Sequence, residues 1–71
     1  MPGEIDGRRF LSAMARFGWI VETQRGSHRK LAHEGRADFL IVAFHGKIGR
    51  NSIRRALRQA RIAEDEFLKE L

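Results

Sequence analysis

The sequence predicts an α+β fold, a two-layer sandwich in which helices cover one face of a small antiparallel sheet. Two observations lead there. Apolar residues recur at helical spacing near the start (Phe10, Leu11, Met14, Phe17) and again at Ile53, Ala56, Leu57 and Ala60. Between these stretches lie three runs with strand character, residues 19–23, 27–33 and 39–44, separated by glycine-bearing turns. The expected order is helix, three antiparallel strands, helix, and a short C-terminal helix.

The elements follow from the residues in turn. Residues 1–5 are expected to be a frayed start. Asp6 is a good N-cap, and Ile5 with Phe10 can staple the entry to a helix over residues 7–17. Gly18 stops that helix. Residues 19–23 (Trp-Ile-Val-Glu-Thr) are strong β-formers bounded by the Arg25-Gly26 turn, and Trp19 is read as core rather than as a stacking surface for a base. Residues 27–33 form the second strand of a hairpin. Leu31 is its only large apolar residue, so one face should meet water. Glu34-Gly35-Arg36 turns the chain into residues 39–44, the most apolar run, expected as a central or well-covered strand with one face on the helices. Residues 45–49 read as a loop, with Asn51 or Ser52 capping the second helix. Residues 63–71 read as a short helix burying Phe67, Leu68 and Leu71, with Glu64, Asp65 and Glu66 in its first turn, where the helix dipole favours negative charge.

Composition bounds the function. Seventy-one residues predict a single domain, 1–71, with a small core. There is no cysteine, hence no disulfide and no thiolate metal site. No apolar run is long enough to span a membrane, and no apolar signal segment opens the chain, so a cytoplasmic protein is expected. The formal charge is +5 and the pI about 11.1. Arginine, with its planar fork of donors, predominates over lysine. Nucleic acid is the leading partner class, and an acidic protein surface the alternative.

The candidate chemistry centres on residues 24–30, Gln-Arg-Gly-Ser-His-Arg-Lys. A histidine just past a turn, among fixed positive charges, suits general acid–base work on a phosphate. Taken alone, the same stretch is equally a solvated turn of a basic protein. Strand alternation puts Lys30 on the face of His28 and Arg29 on the other. Arg25 and the backbone at Gly26 and Ser27 can add phosphate donors. Ser27 is read as a turn residue, because no Ser-His-Asp arrangement is legible. His28, His33 and His45 with Glu34 match no compact zinc spacing, so neither metal nor cofactor is expected. His45 is a candidate second acid or base, or else a helix-capping loop residue. Arg50, Arg54, Arg58 and Arg61 form a stripe on the second helix, read either as phosphate-tracking or as a solvated face that pairs with Glu64 or an acidic partner.

These segments together resemble the HicA family of toxin mRNA interferases. Gly18-Trp19, the Gln24-Arg25-Gly26-Ser27-His28 turn, His33, Phe44-His45-Gly46, residues 53–60 and Glu66-Phe67-Leu68 carry the resemblance over nearly the whole chain. It implies a fold like the double-stranded RNA-binding domain, metal-independent mRNA cleavage with His28 catalytic, and neutralisation by a HicB-like antitoxin. RNA contact is then expected through Arg25, Gly26, Ser27, Lys30, Arg50, Arg54 and Arg58. The sequence departs from the family pattern at Leu31, where an aromatic is usual, at Ala43-Phe44-His45, where proline usually precedes the histidine, and at residues 48–51, where Pro-Gly is frequent. Two further readings share the fold: an RNA-binding module without catalysis, and a degenerate toxin that only binds its antitoxin.

Overall fold

A computed structural model describes residues 1–71. The first helix, α1 (Gly7–Arg16), begins where the sequence places it. The Asp6 carboxylate accepts from the backbone N–H groups of Arg8 and Arg9, satisfying two of the donors that a helix start leaves orphaned. Phe17 caps the C-terminus and Gly18 follows in the left-handed region, at φ +89°. Ile5 and Phe10 are both buried.

The main sheet joins β2 (Ile20–Arg25), β3 (His28–Ala32) and β4 (Leu40–Ala43), antiparallel and in that order. Arg25 pairs with His28, so Gly26 and Ser27 form a two-residue hairpin loop. Gly26 has φ +59° and Ser27 does not have a positive φ, the II′ pattern, which calls for glycine at its first position. A register shift between Val21 and Thr23 leaves Glu22 as a bulge. Trp19 precedes the strand and is buried, as expected of a core residue.

Alternation sorts the two faces. Arg29 and Leu31 of β3 point with Leu40 and Val42 of β4 toward the helices, while His28 and Lys30 point with Ile41 and Ala43 away from them. Leu31 packs in the core opposite Leu40. The strand holding the most apolar run is therefore covered on one face only. It is an edge strand rather than a central one, and Ile41 is 61% exposed.

Three expectations near the helix starts are corrected. The first residues do not fray: β1 (Glu4–Asp6) pairs antiparallel with β5 (Lys47–Gly49), inside the segment read as a loop. Ile5 faces Ile48, both are buried, and a Lys47–Glu4 ion pair of 3.5 Å spans the ribbon. The ribbon continues at both ends, with Gly7 N–H donating to the Gly46 carbonyl at 2.7 Å and Arg50 N–H to that of Gly3 at 2.8 Å. Helix α2 (Arg50–Ala60) consequently starts directly from β5. Its N-cap is Gly49, with no side-chain cap bond, instead of Asn51 or Ser52. In α3 (Glu64–Lys69), Phe67 is buried and Leu71 half-buried, but Leu68 is 37% exposed.

One core cluster joins all three helices, the sheet and the ribbon. Phe10 is its centre, its ring centroid 6.5 Å from that of Phe44 and 5.9 Å from that of Phe67. Each fully buried large side chain contributes about 1.5–3 kcal/mol of transfer free energy, so a few such residues outweigh any surface ion pair.

Candidate nucleic-acid interface

His28 opens β3 at the hairpin turn, on the helix-free face, and is exposed. Its position is fixed from behind. The Arg29 side chain runs under the sheet and donates through Nη1 to the carbonyls of Ser27, at 2.8 Å, and Phe44, at 3.0 Å. The same guanidinium lies 3.8 Å from the Phe44 ring centroid. The Phe44 N–H donates to the Ser27 carbonyl at 3.2 Å, so the turn and the end of β4 are locked together.

His28 and its cross-strand neighbour Ala43 line a groove of about 250 Å³ along the outer edge of β4. The residues 40–43 form one wall, and Ser52, Arg55, Ala56 and Gln59 of α2 form the other. The small Ala43 side chain leaves His28 access to this space. No carboxylate lines the groove.

The other histidines lie elsewhere. His33 Nδ1 accepts from the Gly35 N–H at 2.9 Å, and its ring stacks obliquely on Trp19, with centroids 5.2 Å apart. His45 sits at an isolated bridge to Lys47 and does not line the groove. The three histidines form no cluster with one another or with acidic residues.

The expected RNA-contacting residues divide. Arg25 is exposed beside His28, its partner across the hairpin. Lys30 shares the outer face with His28, but its ammonium is 3.4 Å from Glu22 and 3.7 Å from the Phe39 ring centroid. Arg50 donates to the Pro2 carbonyl at 3.2 Å, and Arg54 pairs with Glu64 at 2.7 Å. Arg54 and Arg58 lie in a separate depression with Ile62 and Glu64. At 100° per residue, the stripe of Arg50, Arg54 and Arg58 lies on one side of the buried face of α2, and Ser52, Arg55 and Gln59 on the other. The stripe and His28 therefore do not share a site. The i, i+3, i+7 spacing of Ser52, Arg55 and Gln59 carried the missing signal, but only the placement of β4 reveals which side of α2 meets His28.

Two carboxylates are tuned by arginine. A hydrogen bond from Arg54 holds Glu64 below its ordinary range, and one from Arg36 does the same for Asp38. Arg36 grips both Asp38 oxygens, at 3.0 and 2.9 Å, and also donates to the terminal carbonyls of α2 at Gln59 and Ala60. It thereby ties the turn after β3 to the end of the helix that forms the groove wall.

No helix is long and apolar enough to cross a membrane. Comparison with curated proteins gives no match. The family model for the HicA toxin of bacterial toxin–antitoxin systems matches residues 7–62, from the first residue of α1 to just past the end of α2. That span contains the hairpin, the groove and both of its walls, and the chain belongs to the HicA toxin family.

Proposed function

We propose that this toxin is a metal-independent endoribonuclease that cleaves mRNA with His28 as general acid–base. Membership of a toxin–antitoxin family implies a cognate antitoxin, which we take to be HicB-like, and we place the encounter with mRNA in the cytoplasm. The whole chain acts as a single HicA-like domain.

One observation carries the reading. Of three histidines, only His28 is both exposed and open to a carboxylate-free groove with an arginine on its far wall. RNA brings its own nucleophile. His28 takes the proton of a 2′-hydroxyl, the O2′–P bond forms, the P–O5′ bond breaks, and the proton returns through solvent to O5′. The products are a 2′,3′-cyclic phosphate and a 5′-hydroxyl. Arg25 and the hairpin backbone at Gly26 and Ser27 hold the strand beside the cut, with Lys30 adding charge on the same face. The stripe of Arg50, Arg54 and Arg58 attracts the polyanion from a distance.

His28→Ala tests the mechanism. Cleavage of single-stranded RNA is expected to fall by about 10²–10⁴-fold, with little change in binding. Binding without any cleavage by the unaltered protein leaves the RNA-binding module as the reading. Affinity that does not fall as salt rises sinks phosphate contact altogether.

A further inference from the structure

We infer that the far wall of the groove is a seat for one phosphodiester, formed by the Arg55 guanidinium, the Ser52 hydroxyl and the outward backbone N–H groups of β4. The inference rests on the ribonuclease reading for its substrate, but the seat has its own geometry and its own readout.

The edge of β4 supplies the first part. Phe44 and Ser27 form a hydrogen-bonding pair. Antiparallel pairs alternate, so Arg29 with Val42 and Leu31 with Leu40 also bond across the ladder. The N–H and C=O groups of residues 39, 41 and 43 then point off the open edge. Gln59 bears this out at one end, its Nε2 donating to the Phe39 carbonyl at 2.8 Å. Beyond that bond, Ile41 and Ala43 present their backbone groups to the groove, with Ala43 directly across from His28.

Arg55 supplies the charge. It is exposed, lines the groove, and takes part in none of the chain's six ion pairs. Other arginines are engaged: Arg36 by Asp38, Arg54 by Glu64, Arg29 by two carbonyls. An unspent planar fork lining the same groove as backbone N–H donors, with a hydroxyl one turn away and no carboxylate in the lining, selects an anion of phosphate shape. His28 stands at the rim of the same space. A phosphate held there keeps its ester oxygens within reach of the imidazole. Charge that builds on the non-bridging oxygens during attack falls on Arg55 and the edge amides.

The test separates this seat from the reaction. Binding of a mixed-sequence single-stranded 2′-deoxy oligonucleotide, which has no 2′-hydroxyl to react, is titrated against salt for the unaltered protein, Arg55→Ala, Arg55→Lys and Arg9→Ala. Arg9 lies on α1, outside the groove, and carries the same charge. Arg55→Ala should weaken binding about tenfold and lower the salt slope by about one, while Arg9→Ala changes neither by more than about twofold. On RNA, Arg55→Ala should lower kcat more than it raises KM. Arg55→Lys should restore binding better than kcat, because a point charge does not reproduce the fork. If the protein cleaves RNA and Arg55→Ala behaves like Arg9→Ala, the seat is overturned. If the oligonucleotide result holds but RNA is never cut, the seat stands and the ribonuclease reading fails. Wild-type affinity of Arg55→Ala for the oligonucleotide, with antitoxin binding lost, assigns the wall to a protein partner and also overturns the seat.

Discussion

The guanidinium of Arg29 lies 3.8 Å from the ring centroid of Phe44 while it bonds the carbonyls of Ser27, in the hairpin turn, and of Phe44, just past the end of β4. It thus works from the core side of the sheet to hold the residue that precedes His28. Arg29→Ala removes two hydrogen bonds from a charged donor and one cation–π contact. The expected loss is about 1–3 kcal/mol in a urea titration. RNA cleavage should fall with it even at temperatures where the variant remains folded. Full activity in a destabilised Arg29→Ala protein would mean that His28 does not depend on this brace.

Gly7 makes the complementary contact with the same ring. A Cβ at position 7 would overlap the Phe44 ring, which is held between Phe10 and Arg29. Alanine gains up to about 1 kcal/mol in helix propensity over glycine, but overpacking a fixed ring costs about 1–3 kcal/mol. The second effect wins, so Gly7→Ala should lower the thermal midpoint. A pairing of Gly7→Ala with Phe44→Leu should recover part of the loss. If the double variant is no better than Gly7→Ala alone, the clash is not the cause.

These contacts mark where local reading of the sequence succeeds and where it stops. The first helix, its Asp6 cap, the Gly18 stop and the Gly26-Ser27 hairpin are set by near neighbours, so they were legible. The β1–β5 ribbon was not, because each strand has three residues and one buried apolar side chain, Ile5 or Ile48. No periodicity can arise from one residue, and the pairing joins segments some forty positions apart. The same ribbon explains the missing side-chain cap on α2. The Arg50 N–H to Gly3 carbonyl bond extends the ribbon to the first helical residue, so the N-cap falls on Gly49, which has no side chain to accept a bond, and not on Asn51 or Ser52. The exposed place of His28 at the hairpin was legible from the turn. The arginine that shares its groove was not, since Arg54 and Arg55 are neighbours in sequence and lie on opposite flanks of the buried face of one helix.

The Arg54–Glu64 pair gives a pH dependence with a definite sign. The Arg54 hydrogen bond lowers the Glu64 carboxyl below its ordinary value of 4.5, so the folded state favours the ionised form. Its contribution is fully present above that value and is lost as pH falls through the lowered one. Glu64→Gln should therefore be less stable than the parent at pH 7, and the two should converge on acidification. Urea midpoints at pH 7 and at pH 2.5 (about two units below the ordinary value) check this. A difference that persists at the lower pH would show that Glu64 acts through packing and not through its charge.

Arg61 is the one residue other than glycine with a positive φ, at φ 62° and ψ 43°. It sits where α2 ends: its N–H donates to the Arg58 carbonyl and that of Ile62 to Leu57, the left-handed termination that usually takes glycine. A side chain there meets its own backbone, whereas glycine adopts the conformation freely. Against this, glycine gives the unfolded chain more freedom. The relief of strain is the larger effect, and Arg61→Gly should raise stability by about 0.5–1 kcal/mol, or about 2–8 °C in Tm for a domain of this length. Arg61→Ala removes the same charge but keeps the strain, so it separates backbone from electrostatics. If alanine stabilises as much as glycine, the gain comes from lost charge repulsion along α2, and the strained termination contributes nothing.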